Sequence, residues 1–317
     1  GDHRGLHYPL RRQRQMCIRD RIKGVVQGIG FRPYIYLLAR KGDLRGFVFN
    51  TEKGVTIEVE GAEENIDAFL SDLRSNPPAL ARISSFDVAT IPPIGEKGFI
   101  IRESLGGEGP KVFIPPDLAI CPECMQELLD PSDRRYRYPF INCTQCGPRL
   151  TIIRNVPYDR KHTSMDAFPM CELCEKEFHD PESRRFHAQP NACPVCGPNV
   201  WLADSNGNTI QSKDPIADAA GLIKQGVVLA IKGLGGFHLA ADATQEEAVR
   251  TLRFRKAREG KPLAMMSGSL EKIGLYAEFS DEEAKLMQGA LHPILLLKKR
   301  LPNPIAPSVA PDQRCFG

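Results

Sequence analysis

Apolar and polar positions fall into a regular pattern from Ile22 onward. Ile22–Val26 reads as a short strand and Gln27–Arg32 as a glycine-containing loop. Pro33–Lys41 reads as a helix with proline in its first turn, where a missing N–H costs nothing. Leu44–Phe49 and Val55–Glu60 are β-rich runs joined through Asn50–Gly54. Ile66, Phe69, Leu70 and Leu73 share one face of a helix over Glu63–Leu73. Ile83–Ile91 and Gly98–Glu103 complete the series as strands. The order βαββαβ with a short closing strand predicts a ferredoxin-like α+β domain over residues 21–103.

The remainder divides by composition. Residues 104–119, rich in glycine and proline around Gly106–Pro116, read as a linker. Residues 120–203 hold all the paired cysteines. Residues 204–317 open on a polar turn, Asp204–Lys213, and continue as an incomplete α/β domain. Its expected elements are a helix over Pro215–Gln225, a buried strand Val227–Lys232 and a helix Thr244–Arg258 begun by a capping box of Thr244 and Glu247. A strand Leu263–Met266, helices Ser269–Ala277 and Ser280–Met287, and a strand Ile294–Lys298 follow. Residues 1–20 show no helical or strand period, with Arg11, Arg12, Arg14 and Arg19 crowded together, and read as an unreliable or disordered leader. The fold class is therefore α+β and multidomain.

Composition narrows the function. A hydrophobic share of 42% with 26% charged residues excludes a mostly disordered chain. No apolar run approaches the ~20 residues of a membrane span, and the first twenty residues lack the apolar core of a secretory signal. The net charge is +3, all of it within residues 1–20, so the other 297 residues carry no basic surplus. Nucleic acid and membrane are therefore not expected as partners. Ten cysteines in such a chain suggest metal before disulfides and a cytoplasmic setting.

The first chemical signal is Gly24-Val-Val-Gln-Gly-Ile-Gly-Phe-Arg-Pro33. Glycines let backbone N–H groups turn toward an anion where the loop feeds a helix N-terminus, and Arg32 adds a bidentate donor. The second is Gly46-Phe-Val-Phe-Asn50, which puts an amide at a strand end. Together they resemble the acylphosphatase family. The resemblance implies that Gln27, Gly28, Ile29, Gly30 and Phe31 form the phosphate loop, that Arg32 clamps phosphate, and that Asn50 positions the attacking water. The family's first strand begins several residues earlier with alternating apolar residues, where this chain has Arg11–Asp20.

Four Cys-x2-Cys pairs follow: Cys121/Cys124, Cys143/Cys146, Cys171/Cys174 and Cys193/Cys196. They repeat every fifty residues, and so do their flanks, Asp130-Pro-Ser-Asp-Arg-Arg135 with Asp180-Pro-Glu-Ser-Arg-Arg185. Four thiolates in each half suit one tetrahedral Zn2+ apiece, so two structural zinc ions are expected, paired within each half or swapped between halves. His162, His179 and His187 read as non-ligands, since each metal already has four thiolates. Thiol redox chemistry and an iron–sulfur site are the rival readings.

The third signal is basic: Lys256-Ala-Arg258-Glu-Gly-Lys261-Pro262, with Lys232-Gly-Leu-Gly-Gly-Phe-His-Leu-Ala-Ala-Asp-Ala243 upstream. These stretches resemble the YrdC/Sua5 family. The resemblance implies ATP as a substrate, bound with Lys256, Arg258 and Lys261 neutralising phosphates.

The three modules in this order, with Tyr158-Asp-Arg and Arg184-Arg-Phe-His-Ala-Gln189, resemble the HypF carbamoyltransferase family of [NiFe]-hydrogenase maturation. The resemblance implies three steps. Carbamoyl phosphate is hydrolysed to carbamate, carbamate and ATP form carbamoyl adenylate, and a further Kae1-like domain passes the carbamoyl group to the C-terminal cysteine of the partner HypE. That last domain has no counterpart here, so the chain reads as a fragment not expected to complete the transfer. Two alternatives stand beside this reading: a zinc-finger scaffold with inactive flanking domains, and a tRNA threonylcarbamoyl adenylate synthase-like enzyme.

Overall fold

The computed structural model describes residues 15–93, 95–105 and 113–317. Residues 1–14 of the expected leader and residues 106–112 of the expected linker lie outside them. The chain forms two compact units, one of residues up to 116 with 141–196, the other of 117–140 with 197–317.

The first unit contains β1 (Gln15–Val25), α1 (Phe31–Lys41), β2 (Arg45–Thr51), β3 (Gly54–Ala62), α2 (Glu63–Ser75), β4 (Arg82–Thr90) and β5 (Phe99–Ile101). The sheet order is β4-β1-β3-β2-β5, antiparallel except for the parallel β2–β5 pair. This is the ferredoxin-like arrangement expected. Its core is built as the periodicity predicts: Phe31, Ile35 and Ala39 from α1 and Ile66, Phe69 and Leu73 from α2 pack on Val55, Ile57 and Val59 of β3.

One expectation is corrected. Residues 15–20 belong to β1, paired with β3 from Gln15↔Ala62 onward and with β4 from Ile18↔Thr90. Arg19 and Arg21 hide this strand because they take the positions between its core residues. Arg19, for instance, pairs with Glu58 at 2.6 Å, while Ile18 and Ile22 point into the core. Between those two isoleucines sits Asp20, 1% exposed, with no well-formed hydrogen bond to either carboxylate oxygen among the described residues. Burial lifts its pKa from 3.8 to about 6, against the smaller pull of the nearby Asp87 amide and of Arg74. A carboxyl group raised in the folded state contributes stability that is complete below its unfolded pKa and is lost as pH rises through the folded value. Asp20→Val is therefore expected to gain about 2 kcal/mol at pH 7 and almost nothing at pH 4. Denaturant unfolding of both proteins at the two pH values measures this, and equal gains at both would exclude a buried charge as the cause.

The cysteine repeat is also a structural repeat. Helices α3 (Pro122–Leu129) and α4 (Glu172–His179) each start just after the first cysteine of their half and end at an aspartate, Asp130 or Asp180. Asp130 accepts from the amide of Ser132 at 2.8 Å and Asp180 from that of Glu182 at 2.9 Å. Seven residues on from each aspartate, Arg137 and His187 adopt positive φ, 56° and 52°.

In the second unit a hairpin of β6 (Leu202–Ala203) and β7 (Thr209–Ile210) precedes α5 (Pro215–Lys224). Strand β8 (Leu229–Lys232) pairs with β9 (Phe237–Ala240) alone and is largely exposed, not buried as expected. Helix α6 is shorter than expected, Glu246–Arg255, and Thr244 does not cap it. Asp242 instead takes the amide and hydroxyl of Thr244 at 2.8 and 2.7 Å. Helices α7 (Leu270–Gly274) and α8 (Asp281–Gln288) follow, the latter with a capping box of Ser280 and Glu283. Strand β10 (Ala277–Glu278) pairs with β11 (Leu297–Lys299), and β11 with β12 (Cys315–Phe316). Leu263–Met266 is not a strand. Its amides at Leu263 and Met265 reach the carbonyls of Val309 and Gly317. Val249, Ala306, Val309, Ala310 and Phe316 form this unit's core. Among the described residues no helix is long and apolar enough to cross a membrane.

Candidate functional site

The loop between β1 and α1 delivers backbone, not side chains, to the first site. Ile29 and Phe31 are 3% and 2% exposed and belong to the core. Gln27 is committed on both ends: its Nε2 donates to the carbonyls of Thr51 (2.7 Å) and Gly54 (2.9 Å), and its Oε1 accepts from the Tyr158 amide (3.0 Å). It braces the loop and offers no side-chain group to a ligand. Gly28 and Gly30 have φ of 72° and 75°, and a Cβ at Gly30 would stand 2.7 Å from Thr144 Cγ2. Both glycines are needed, one for the bend and the other for close approach as well. The loop ends on the α1 N-terminus, where unpaired N–H groups and the helix dipole favour an anion.

Arg32, in the first turn of α1, and Asn50, in β2, line one pocket with this loop. Arg32 is 8% exposed. Its Nη2 meets Asp159 Oδ1 at 2.8 Å and donates to the Tyr158 carbonyl at 3.2 Å, and its Nη1 donates to Ser104 Oγ at 3.3 Å. Asn50 Nδ2 donates to the same Tyr158 carbonyl at 3.4 Å, while its Oδ1 is buried with no partner among the described residues. A buried amide oxygen left open at a pocket is an acceptor awaiting a donor that enters with solvent or ligand.

Half of the pocket wall comes from residues more than a hundred positions away in sequence: Thr144, Arg149, Tyr158, His187 and Gln189. The sequence gives no periodic signal for this. The resemblance carries the Tyr158-Asp-Arg and Arg184–Gln189 stretches, and His187 stands in the sequence as a non-ligand histidine beside the cysteines. Arg149, 1% exposed, donates to carbonyls on both sides of the seam, among them Gly28 of the loop and Thr144 (2.9 Å). Tyr158, Asp159 and Arg160 work in succession. The first two engage Gln27, Asn50 and Arg32. Arg160 donates to Gln189 Oε1 through its amide (2.7 Å), and through its guanidinium to the carbonyls of Gln189 (2.7 Å), Asn191 (2.9 Å) and Phe168 (2.6 Å). His187 is packed between the rings of Phe178 (4.9 Å) and Phe186 (4.7 Å). Burial, with smaller contributions from the charges of Arg32 and His179, holds its pKa down at about 3, so the imidazole is neutral.

The eight expected metal ligands gather within each repeat. Cys121, Cys124, Cys143 and Cys146 form one cluster and Cys171, Cys174, Cys193 and Cys196 the other, with all sulfurs of a cluster within 4.8 Å of one another. Sulfur separations of 3.7 Å (Cys171–Cys193), 3.8 Å (Cys193–Cys196) and 3.6 Å (Cys174–Cys196) test the fit. A tetrahedron with ~2.3 Å metal–sulfur bonds has edges of about 3.8 Å, so both clusters suit zinc. Burial alone would push the Cys171 thiol up, but hydrogen bonds from the Cys174 amide and the neighbouring sulfurs outweigh it and bring the pKa to about 6. The histidines nearby are occupied elsewhere: His162 Nδ1 contacts the Pro157 carbonyl at 2.8 Å and His179 contacts Glu175 at 3.1 Å.

The expected nucleotide residues fall on the loop after α6. Lys256 and Lys261 are exposed. Arg258 is turned inward, its Nε donating to the Lys261 carbonyl at 3.0 Å and its Nη2 to that of Pro262. Arg253 secures the same loop through the carbonyls of Arg258 and Glu259, both at 2.7 Å. Arg258 thus shapes the loop, while the two lysines present its charge.

Residues 18–101 match the Acylphosphatase family model, residues 120–153 and 170–203 the HypF finger, and residues 221–317 the Telomere recombination model of Sua5, YciO and YrdC proteins. Carbamoyltransferase HypF2 of Cupriavidus necator is 48% identical over 92% of this chain and 36% of its own length. The probable carbamoyltransferase HypF of Methanocaldococcus jannaschii is 46% identical over 90% of this chain and 37% of its own length. A full-length HypF, solved in its phosphate- and nucleotide-bound form, superposes with a TM-score of 0.90 at 45% identity, covering 96% of this chain and 40% of that one. The chain thus spans between a third and two fifths of the relatives it matches. With all three modules matched in order around the pocket and the two thiol clusters, it belongs to the HypF family.

Proposed function

We propose that the pocket beside Gly28–Arg32 hydrolyses carbamoyl phosphate to carbamate and inorganic phosphate. The observation that carries this reading is the open, buried Oδ1 of Asn50 in the same pocket as Arg32. In this reading the phosphoryl group lies against the loop amides and the α1 N-terminus, and Arg32 meets its charge with the Nε–H its protein partners leave uncommitted. Asn50 Oδ1 accepts a hydrogen bond from a water molecule and aims its oxygen at phosphorus. The new P–O bond forms as the bond to the carbamoyl oxygen breaks. Carbamate leaves with the electron pair, and the proton lost by the water passes to solvent. The phosphate- and nucleotide-bound relative supports an anion site in this family.

Carbamate made here would condense with ATP at the YrdC-like module, residues 204–317, giving carbamoyl adenylate and pyrophosphate. Lys256 and Lys261 offset the charge of the departing phosphates. Transfer onward to the C-terminal cysteine of HypE belongs to the longer relatives. Two zinc ions per chain hold the fingers of residues 120–203, and cysteines outside disulfides suit a cytoplasmic setting.

The test is phosphate release from carbamoyl phosphate by the chain and by Asn50→Ala. Loss of the water-positioning amide is expected to lower kcat roughly 10²-fold with little change in KM. No release by the unaltered chain, or an undiminished rate in the variant, would reject the assignment.

A further inference from the structure

The pocket has more open hydrogen-bonding capacity than phosphate and water require. Gln27 and Gln189 have both side-chain polar atoms engaged: the latter accepts from the Arg160 amide at 2.7 Å and donates to the His187 carbonyl at 2.7 Å. Thr144 Oγ1 lies 2.9 and 3.1 Å from the carbonyls of Arg184 and Phe186, and the Tyr158 hydroxyl donates to the Pro148 carbonyl at 3.4 Å. Arg149 donates to backbone carbonyls. Three lining side chains keep a polar atom with no hydrogen bond among the described residues: Arg32 at Nε, Asn50 at Oδ1 and His187 at its ring nitrogens. The first two have roles. The His187 ring has packing partners, Phe178 and Phe186, and no hydrogen bond among the described residues, although it lines the same pocket.

The repeat shows that the backbone does not explain the histidine. At the equivalent position of the first copy, Arg137 makes the same left-handed bend, and its amide bonds the Leu128 carbonyl at 2.8 Å just as the His187 amide bonds that of Phe178 at 2.9 Å. Arg137 sends its side chain to Asp214, 3.2 Å away. The bend is common to both copies, while the side chain that meets the pocket is peculiar to the second. An arginine there would bring a second cation beside Arg32, whereas a neutral imidazole brings a lone pair as well as an N–H. Phosphate asks for donors, which the loop and Arg32 supply. A carbamoyl group asks for an acceptor, because its NH2 would otherwise be buried unpaired.

We propose that His187 selects the acyl group: its ring nitrogen accepts a hydrogen bond from the NH2 of carbamoyl phosphate, so this substrate is taken over acetyl phosphate, which carries a methyl in that place. The proposal rests on the acylphosphatase reading above and adds to it the residue that recognises the acyl end. The low pKa of the ring agrees, since a protonated imidazole has no lone pair to offer.

Phosphate release from the two substrates, compared as kcat/KM ratios, tests it. The unaltered chain is expected to favour carbamoyl phosphate by about tenfold or more, the scale of one hydrogen bond whose loss leaves a polar group unpaired. His187→Phe should erase the preference by slowing carbamoyl phosphate alone. His187→Asn, which tolerates the left-handed bend and retains an acceptor, should keep part of it. Zinc content and circular dichroism report folding of each variant. An equal fall on both substrates in the phenylalanine variant would overturn the proposal, as a merely structural role predicts. So would an unaltered chain that shows no preference, which decides the matter even if the phenylalanine variant does not fold. Hydrolysis of neither substrate by the unaltered chain would remove the acylphosphatase reading and this proposal with it, an outcome distinct from hydrolysis without selectivity.

Discussion

Replacing Arg32 with alanine is expected to lower kcat/KM for an acyl phosphate by about 10³-fold, the scale reached when a charged donor on a transferring phosphoryl group is removed. Two effects add. The guanidinium proposed to meet the phosphate disappears. The Asp159 carboxylate, 2.8 Å from Arg32 and mostly buried, then loses its counter-charge and faces the substrate as a like charge. The second effect makes a further prediction within the same experiment. Adding Asp159→Asn to Arg32→Ala should recover stability and some substrate affinity, but not the rate. A colorimetric phosphate assay across substrate concentrations separates the two. An Arg32→Ala protein that keeps its kcat would show that the anion is held by the loop amides alone.

Removing metal is expected to have the other large effect. Structural zinc in thiolate sites contributes about 10–16 kcal/mol of apparent binding free energy in isolated fingers, and that free energy is folding free energy. The second finger has little else to hold it. Its buried residues are chiefly Cys174, Cys193, Phe186, Ala188, Ala192 and a few polar side chains fixed on backbone carbonyls, such as Asn191 Nδ2 on Cys174 (2.9 Å). Metal analysis should return two zinc ions per chain. A strong chelator at neutral pH should release them and unfold residues 171–196. It should also cut phosphate release steeply, because His187 and Gln189 line the pocket from this finger and Arg160 is bonded to it through Gln189 and Asn191. Full activity after zinc loss would contradict that dependence.

The fold was legible where one face of an element is apolar and the other polar. Ile66, Phe69 and Leu73 announce α2, and the strands of the ferredoxin-like sheet alternate as a half-buried sheet should. It was illegible where charge replaces a core residue. Asp20 stands where β1 needs an aliphatic side chain, and the arginines around it mask a strand that pairs on both edges. In the second unit β8 reads as a buried strand because Leu229–Ile231 are apolar, yet only β9 pairs with it among the described residues. The eight cysteines and Arg32 were recoverable because their chemistry repeats or follows a loop signature. His187, Asp159 and Arg149 were not, because a residue's arrival at a pocket from a hundred positions away leaves no trace in local periodicity. Arg258 adds something the signature does not announce: two of its guanidinium nitrogens donate to carbonyls of its own loop.

The succession of Tyr158, Asp159 and Arg160 has a practical consequence for dissecting this protein. A hydrolase excised at residue 105 would keep its loop, its guanidinium and its amide, yet lose the far wall that shields them. Rates measured on such a truncate would describe an open-mouthed enzyme with broad tastes, and would say little about what the longer chain accepts.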